Sequence, residues 1–234
     1  MSAGLELTLR APLAMATDLA GLTAAGWTTC DPSAMAARQV TGGGAALTVG
    51  DLFTVTGTPG PAMRIIGDLA HATSVGAELA EGTVTVEGDV GDNAGGALPG
   101  AKKGMRGGEL VILGHAGAEA GACIRRGTLA VRGNVGARCG RAAIAGTIFV
   151  GGDAGPDAGL WSKRGSLVVA GAVTPLVTYR EDCTYRPVVL RLLLLRLRAL
   201  GLPITPAHVD GAWRRWSGDL AESGLGELLQ WQSP

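Results

Sequence analysis

The chain has 234 residues, with 20 basic and 20 acidic side chains, 47% hydrophobic residues and 39 glycines. That length can bury a substantial core without disulfide or metal staples. The hydrophobic content excludes a disordered glycine-rich polymer, the glycine spacing excludes collagen, and zero net charge argues against general binding to nucleic acid or an anionic membrane.

The opening stretch, MSAGLELTLRAPLAMATDLA, lacks a basic segment followed by an apolar run and does not read as a signal peptide. LELTLR predicts a strand, and residues 1–44, rich in Ala, Thr and Gly, are expected to form an N-terminal cap. TGGGAALTVG, from Thr41, has neither the G-x-G-x-x-G spacing nor the lysine of a phosphate-binding loop, so no nucleotide site is read there. LTVGDLFTVTG, from Leu47, reads as a degenerate repeat unit, and MRIIGDLAHATSVGAELAEG as a 21-residue variant.

From there the repeat is regular. Glycines open apolar runs at Gly82, Gly108, Gly127, Gly146 and Gly165, separated by 26, 19, 19 and 19 residues, which is a solenoid period. Two places on stand Val84, Leu110, Leu129, Ile148 and Leu167, and four places on Val86, Ile112, Val131, Val150 and Val169. Period two in such residues predicts short strands with these columns facing inward. The column between them (Thr85, Val111, Ala130, Phe149, Val168) is mixed, so the other strand face is expected to be half covered. Each strand ends at a glycine followed by Asp89, His115, Asn134, Asp153 or Ala172, mostly residues that favour turns by bonding their own backbone. Stacked strands lie about 4.8 Å apart, so a corner must recur at the same place in every coil, and the glycines repeat because the path repeats. The 26-residue unit carries an excursion around LPGAKKGM, and the solenoid is expected over residues 45–175.

Residues 176–234 depart from the repeat. PVVLRLLLLRLRALGLP is bounded by proline, glycine and proline and reads as a helix buried on most sides or as a strand. This segment is expected to cap the open end of the solenoid, whose strand edges would otherwise invite polymerisation. Its leucines are interrupted by arginines and the run is too short to span a bilayer.

No catalytic constellation is visible. Cys30, Cys123, Cys139 and Cys183 form no C-x-x-C pair, and His71, His115 and His208 are far apart, so neither a zinc site nor a disulfide framework is expected, and the thiols read as reduced in a cytoplasmic protein. A hexapeptide-repeat acyltransferase would also present isolated histidines. Here 19 is not a multiple of six and His115 occupies the turn column, where it reads as a turn residue. The one asymmetry is charge: between Lys102 and Arg164 lie ten basic residues against four acidic ones, which makes that segment +6 and the remainder −6. Arg106, Arg125 and Lys163 share a repeat column just before the strand, and Arg126 and Arg164 share the next. Rows one or two coils apart would set positive charge about every 5 to 10 Å along one edge, suited to an extended polyanion or an acidic partner surface. The competing reading is a solvated rim that blocks edge aggregation.

The glycine ladder, GMRGG after the excursion and the tail RRWSGDLAESGLGELLQW together resemble the C-type subunit of formylmethanofuran dehydrogenase and of its bacterial relative, the formyltransferase/hydrolase complex. The ladder also resembles the C-terminal glycine-repeat domain of glutamate synthase large subunits. The resemblance implies a mainly β fold, a right-handed β-helix with a C-terminal capping segment, in a non-catalytic scaffold subunit. Its implied partners are an amidohydrolase-like hydrolase subunit and a formyltransferase subunit. Together they would move formyl from tetrahydromethanopterin to a methanofuran-type cofactor and hydrolyse it to formate in formaldehyde oxidation. The implied contact with this chain is the cofactor's polyglutamate tail along Arg106, Arg125, Arg126, Lys163 and Arg164; no catalytic or metal residue is expected. Two alternatives stand beside this: the C-type subunit of a molybdenum or tungsten formylmethanofuran dehydrogenase, and a self-assembling structural solenoid.

Overall fold

A strand with an aliphatic side chain at every second position can bury one face, and a 19-residue return lets such strands stack in register. The chain realises this in a computed structural model that describes residues 4–232. In chain order the strands are β1 (Gly4–Leu9), β2 (Thr17–Asp18), β3 (Gln39–Gly42), β4 (Ala45–Thr48), β5 (Phe53–Gly57), β6 (Ala62–Ile66), β7 (Ala72–Thr73), β8 (Thr83–Glu87), β9 (Arg106–Ile112), β10 (Arg126–Val131), β11 (Thr147–Val150), β12 (Ser166–Val169), β13 (Arg180–Tyr185), β14 (Trp213–Gly218) and β15 (Gly226–Trp231). The helices are α1 (Pro32–Ala36), α2 (Val49–Leu52), α3 (Val188–Ala199) and α4 (Pro206–Asp210). The fold is mainly β. Eleven strands form one sheet in the order β13-β14-β15-β12-β11-β10-β9-β8-β6-β1-β5, and four short ones a second, β4-β3-β2-β7. No helix among the described residues is long and apolar enough to cross a membrane.

From β6 to β12 every neighbouring pair is parallel, and the register repeats the sequence columns: Met63 opposite Val84, Val84 opposite Leu110, Leu110 opposite Leu129, Leu129 opposite Ile148, Ile148 opposite Leu167. The 21- and 26-residue units therefore belong to the same ladder as the 19-residue ones. A second parallel ladder runs alongside through single bridges, Leu69 to Val90 to Ala116 to Val135 to Ala154, at the same spacings. Both inward columns are buried in one continuous core. Each such aliphatic side chain contributes roughly 1.5–3 kcal/mol on burial.

The turn column works differently from the sequence expectation. Its side chains do not bond their own backbone; each accepts from the backbone N–H of the equivalent residue one repeat later. Asp89 Oδ1 accepts from His115 at 2.7 Å, His115 Nδ1 from Asn134 at 2.9 Å, Asn134 Oδ1 from Asp153 at 2.9 Å and Asp153 Oδ1 from Ala172 at 2.7 Å. This also accounts for Gly114, Gly133, Gly152 and Gly171, each just before a turn residue: a Cβ on Gly133, for example, would lie 2.7 Å from His115 Nδ1, inside the space that this acceptor fills. The glycine is required there by close approach. Gly140, at the end of the same motif, has φ +69 and is required by backbone conformation instead.

Two further columns adopt left-handed backbone without glycine: Glu119, Arg138 and Asp157 in one, Cys123, Ala142 and Trp161 in the other, with φ between 53 and 60. In the second column each residue turns its N–H towards the next repeat: Cys123 donates to the Arg141 carbonyl at 2.8 Å and Ala142 to the Leu160 carbonyl at 2.7 Å. Trp161 has no repeat beyond it. Its N–H is taken by Asp219 Oδ2 at 2.9 Å, so the carboxylate of the C-terminal segment stands where the next carbonyl would be. Asp219 is fully buried and also accepts from Ala221 N–H at 2.9 Å.

The C-terminal segment continues the sheet. β15 pairs in parallel with β12, Leu228 opposite Leu167, then β14 and β13 follow antiparallel, leaving β13 as one edge. α3 starts after Pro187, and its Leu- and Arg-rich run of good helix formers ends before Gly201, at φ +93, and Pro203. It buries one face, Leu190, Leu194 and Leu197, rather than most of its circumference. That face joins a second core with Val111, Ala130, Phe149 and Val168, the intervening strand column. The helix thus lies on the flank of the sheet, while β15 and Asp219 cover the ladder's end.

At the other end, Phe53–Gly57 does not stack as a repeat unit. β5 pairs antiparallel with β1, and β1 takes the parallel place beside β6, Leu5 opposite Met63. LELTLR therefore is a strand, as its pattern predicts, and it belongs to the large sheet.

Candidate functional site

The repeat path decides where the basic residues of the expected edge fall. Arg106 begins β9 and Arg126 begins β10, and the two are register partners across adjacent strands. The sequence frame aligned Arg106 with Arg125 instead; the register shifts between Arg126 and Thr128 and moves the match by one residue. Arg125 lies just before β10, and Lys163 and Arg164 lie just before β12. The middle repeat has Ile144 and Ala145 at the corresponding places, where both donate to the Ile124 carbonyl, so the row of charge is interrupted.

Neutralisation differs along the row. Arg106 faces Glu78 at 3.5 Å, and Lys163 faces Glu222 at 3.8 Å. Among the described residues no carboxylate lies within ion-pair distance of Arg125, Arg126 or Arg164. Elsewhere in the basic segment, Glu119 is flanked by Arg138 at 2.9 Å and Arg141 at 3.0 Å. Glu109 receives Arg196 of α3 at 2.6 Å and the Thr83 hydroxyl at 3.1 Å. The hydrogen bonds from Arg196 are the main cause that holds the Glu109 carboxyl below its ordinary range, against partial burial, which raises it. This pair ties α3 to the strand edge.

Two concavities adjoin these residues. Trp27, Glu78, Glu81 and Arg106 line a cleft of about 240 Å³ whose floor is small residues, Ala77 and Ala80 among them. Its two carboxylates against one guanidinium make it acidic. A groove of about 360 Å³ opens between α3 and the sheet, lined by Tyr185, Pro187, Val189 and Leu193 on one side and Ser166, Val168 and Glu227 on the other.

In the groove the Ser166 hydroxyl donates to Glu227 Oε1 at 2.7 Å, while Arg215 holds the other oxygen of that carboxylate at 3.1 Å; no histidine lines either concavity. Among the described residues no three of His, Cys, Asp and Glu gather as metal ligands, and all four cysteines are free. Cys139 is buried in the core, and that burial pushes its thiol up to about 12, so it is an inert packing residue. His115 spends Nδ1 on the turn ladder. His208 caps α4 with Thr205 and meets Trp231 edge-on at 4.9 Å.

The counter-charges Glu78 and Glu222 and the buried acceptor Asp219 stand outside the basic edge that the repeat columns predict. Glu78 and Glu222 carry no local signal, because they lie 28 and 59 residues from their partners. Asp219 had one: it sits in SGDLAESG, between a glycine and a turn-rich stretch.

No protein-family model matches the chain, and no curated protein matches it. Among solved structures it is similar to a chain of the formyltransferase/hydrolase complex (FhcABCD) from Methylorubrum extorquens, determined by X-ray crystallography in complex with methylofuran. The identity is 30%, the TM-score 0.70, and the match covers 97% of this chain and 100% of that chain. With 30% identity over the whole of that solved chain, the protein belongs to the same family as this component of the formyltransferase/hydrolase complex.

Proposed function

We propose that the chain is a non-catalytic scaffold, the C-type subunit of a cytoplasmic formyltransferase/hydrolase complex. Its body is a right-handed β-helix formed by the glycine repeat of residues 45–175. A cap, residues 1–44, lends β1 to the ladder, and residues 176–234 form a capping and docking tail. Its partners are the amidohydrolase-like hydrolase subunit and the formyltransferase subunit. The assembled complex moves formyl from tetrahydromethanopterin to a methanofuran-type cofactor and hydrolyses it to formate.

The observation that carries this reading is the full-length match to a chain of such a complex. Two constant parallel ladders per repeat, stiffened by turn side chains bonded from one repeat to the next, suit a rigid surface on which other subunits work. Arg125, Arg126 and Arg164 supply the unneutralised charge of the basic edge, with Arg106 and Lys163 partly offset by their carboxylates. This edge faces the acidic tail of the cofactor or an acidic partner.

Purification of the tagged chain from its native host tests the reading: formyltransferase and hydrolase subunits should accompany it, and the isolated chain should show no formyl transfer or hydrolysis. Replacement of Arg125, Arg126, Lys163 and Arg164 by alanine should lower cofactor content or loosen a partner. Unchanged cofactor and unchanged assembly would remove the basic edge from the account.

A further inference from the structure

Trp161 occupies a position where a tryptophan is costly. Its backbone is left-handed, φ +60, a conformation suited to glycine, and the same column holds the small residues Cys123 and Ala142 in the preceding repeats. The residue is 47% exposed, so about half of a large apolar side chain stays uncovered by its own chain. The local structure nevertheless holds it firmly, because the buried Asp219 carboxylate takes its N–H. An exposed indole kept in a strained backbone by a dedicated buried acceptor points to a role outside the chain.

The surroundings fit that role. Asp219 opens the loop between β14 and β15, and this loop presents Leu220, 60% exposed, and Leu225, 65% exposed. Leu220 N–H bonds the Thr178 carbonyl at 3.0 Å, which brings the fully exposed Val177 alongside. The Ser223 hydroxyl donates to the Lys163 carbonyl, so the loop is pinned to the segment that carries Trp161, Lys163 and Arg164. These bonds bring four exposed apolar residues to the end of the ladder, in the same stretch as Arg164, which has no carboxylate of the described residues within ion-pair distance, and Lys163, in a loose 3.8 Å pair with Glu222.

We propose that this surface, centred on Trp161, is where the chain docks a partner subunit, through a patch on that subunit that is apolar at its centre and acidic at its rim. The proposal rests on membership in the complex. Charge points to the occupant: Arg164 has no carboxylate of the described residues within ion-pair distance, and an acidic rim on the partner would neutralise it and compete with Glu222 for Lys163. Tryptophan with arginine at the edge of a desolvated centre is also the composition of an interface hot spot.

The test co-expresses the full-length chain with the other subunits of the complex from the same organism, as wild type, Trp161→Gly, and the double variant Leu220→Asp with Leu225→Asp. Subunit affinity and complex yield are measured together with the urea midpoint of each full-length chain alone. The expected result is that Trp161→Gly still folds and unfolds cooperatively in urea, yet binds its partner about 30-fold more weakly. The double variant should lose at least as much affinity, and added salt should weaken the wild-type complex. Wild-type affinity in both variants overturns the docking surface and leaves membership standing. Failure of the Trp161→Gly chain to fold on its own makes the indole a packing residue of this chain and overturns the docking role assigned to it. Loss of self-association in the variants with undiminished subunit binding makes a second copy the occupant and overturns the choice of partner. Failure of the wild-type chain to join the other subunits overturns the membership reading, and the proposal with it.

Discussion

The repeat from Gly82 to Gly171 and the C-terminal segment from Val177 to Trp231 are built on opposite terms. In the repeat every stabilising contact has copies: five aliphatic rungs in each inward column, four turn side chains bonding forward, two parallel ladders side by side. In the C-terminal segment each contact occurs once. One carboxylate, Asp219, ends the left-handed column, one ion pair, Arg196 with Glu109, ties α3 to the strand edge, and one helix face covers the outer strand column. The lesson is that a repeat spreads a loss over its neighbours, whereas a non-repeating segment is only as secure as each single anchor.

The comparison breaks most visibly where the two regions meet. Phe149 is buried between the sheet and α3, in the core that only the C-terminal segment completes. Phe149→Ala should cost about 3–5 kcal/mol in urea unfolding and release α3, visible as faster amide exchange over residues 188–199. Asp219→Ala comes next, at about 1–3 kcal/mol, because it strands the Trp161 and Ala221 N–H groups. Proteolysis should then cut first between residues 219 and 225. Equal resistance of that loop in variant and wild type would show that the clasp is not what holds it.

Within the repeat the same kind of loss should matter less. Asn134→Ala removes one turn acceptor, for the Asp153 N–H, at an exposed position with intact rungs on both sides. About 0.5–1.5 kcal/mol is expected, without local opening of the neighbouring repeats by amide exchange. Ala142→Gly should act in the opposite direction and raise stability by about 0.5–1 kcal/mol, since it relieves a left-handed alanine at φ 53 at the cost of some unfolded-state entropy. A fall in the thermal midpoint would contradict the strain assigned to that column. The smallest effect is in pH. Glu109 is held below its ordinary value chiefly by Arg196, so its contribution is fully present above that value and is lost as pH falls through the lower folded one. Exchange over α3 should quicken across that acid window while the rungs of the repeat stay protected, and Glu109→Gln should abolish the dependence.

Much of the ladder was readable from the residues alone. The columns at Val84 and Val86 and their successors alternate strictly and return at constant intervals, so inward facing and parallel register follow from the pleat and the period. His115 could be read as a turn residue because its neighbours in the column are Asn134 and Asp153, and its Nδ1 accepts from the Asn134 N–H. Less was readable wherever contact distance and sequence distance part company. Nothing near Leu5 says that it will lie opposite Met63, and nothing near Arg106 says that Glu78 will stand against it. The turn residues were recognised by type, but the direction of their bonds depends on the repeat stacked beside them.

The sequence by itself determined the mainly β class, the interval of the repeat, the inward columns and the places where a corner must recur. A periodic chain reports its own geometry, because each unit is an independent copy of the same local constraint. Tertiary structure alone decided that β1 completes the ladder, that α3 flanks the sheet instead of closing its end, which of the five basic side chains keep an unneutralised charge, and that Asp219 takes the place of a missing carbonyl beside an exposed Trp161. Each of these outcomes joins segments far apart in the chain, and such joins are selected by complementary shape and charge in the folded state, which no local pattern encodes.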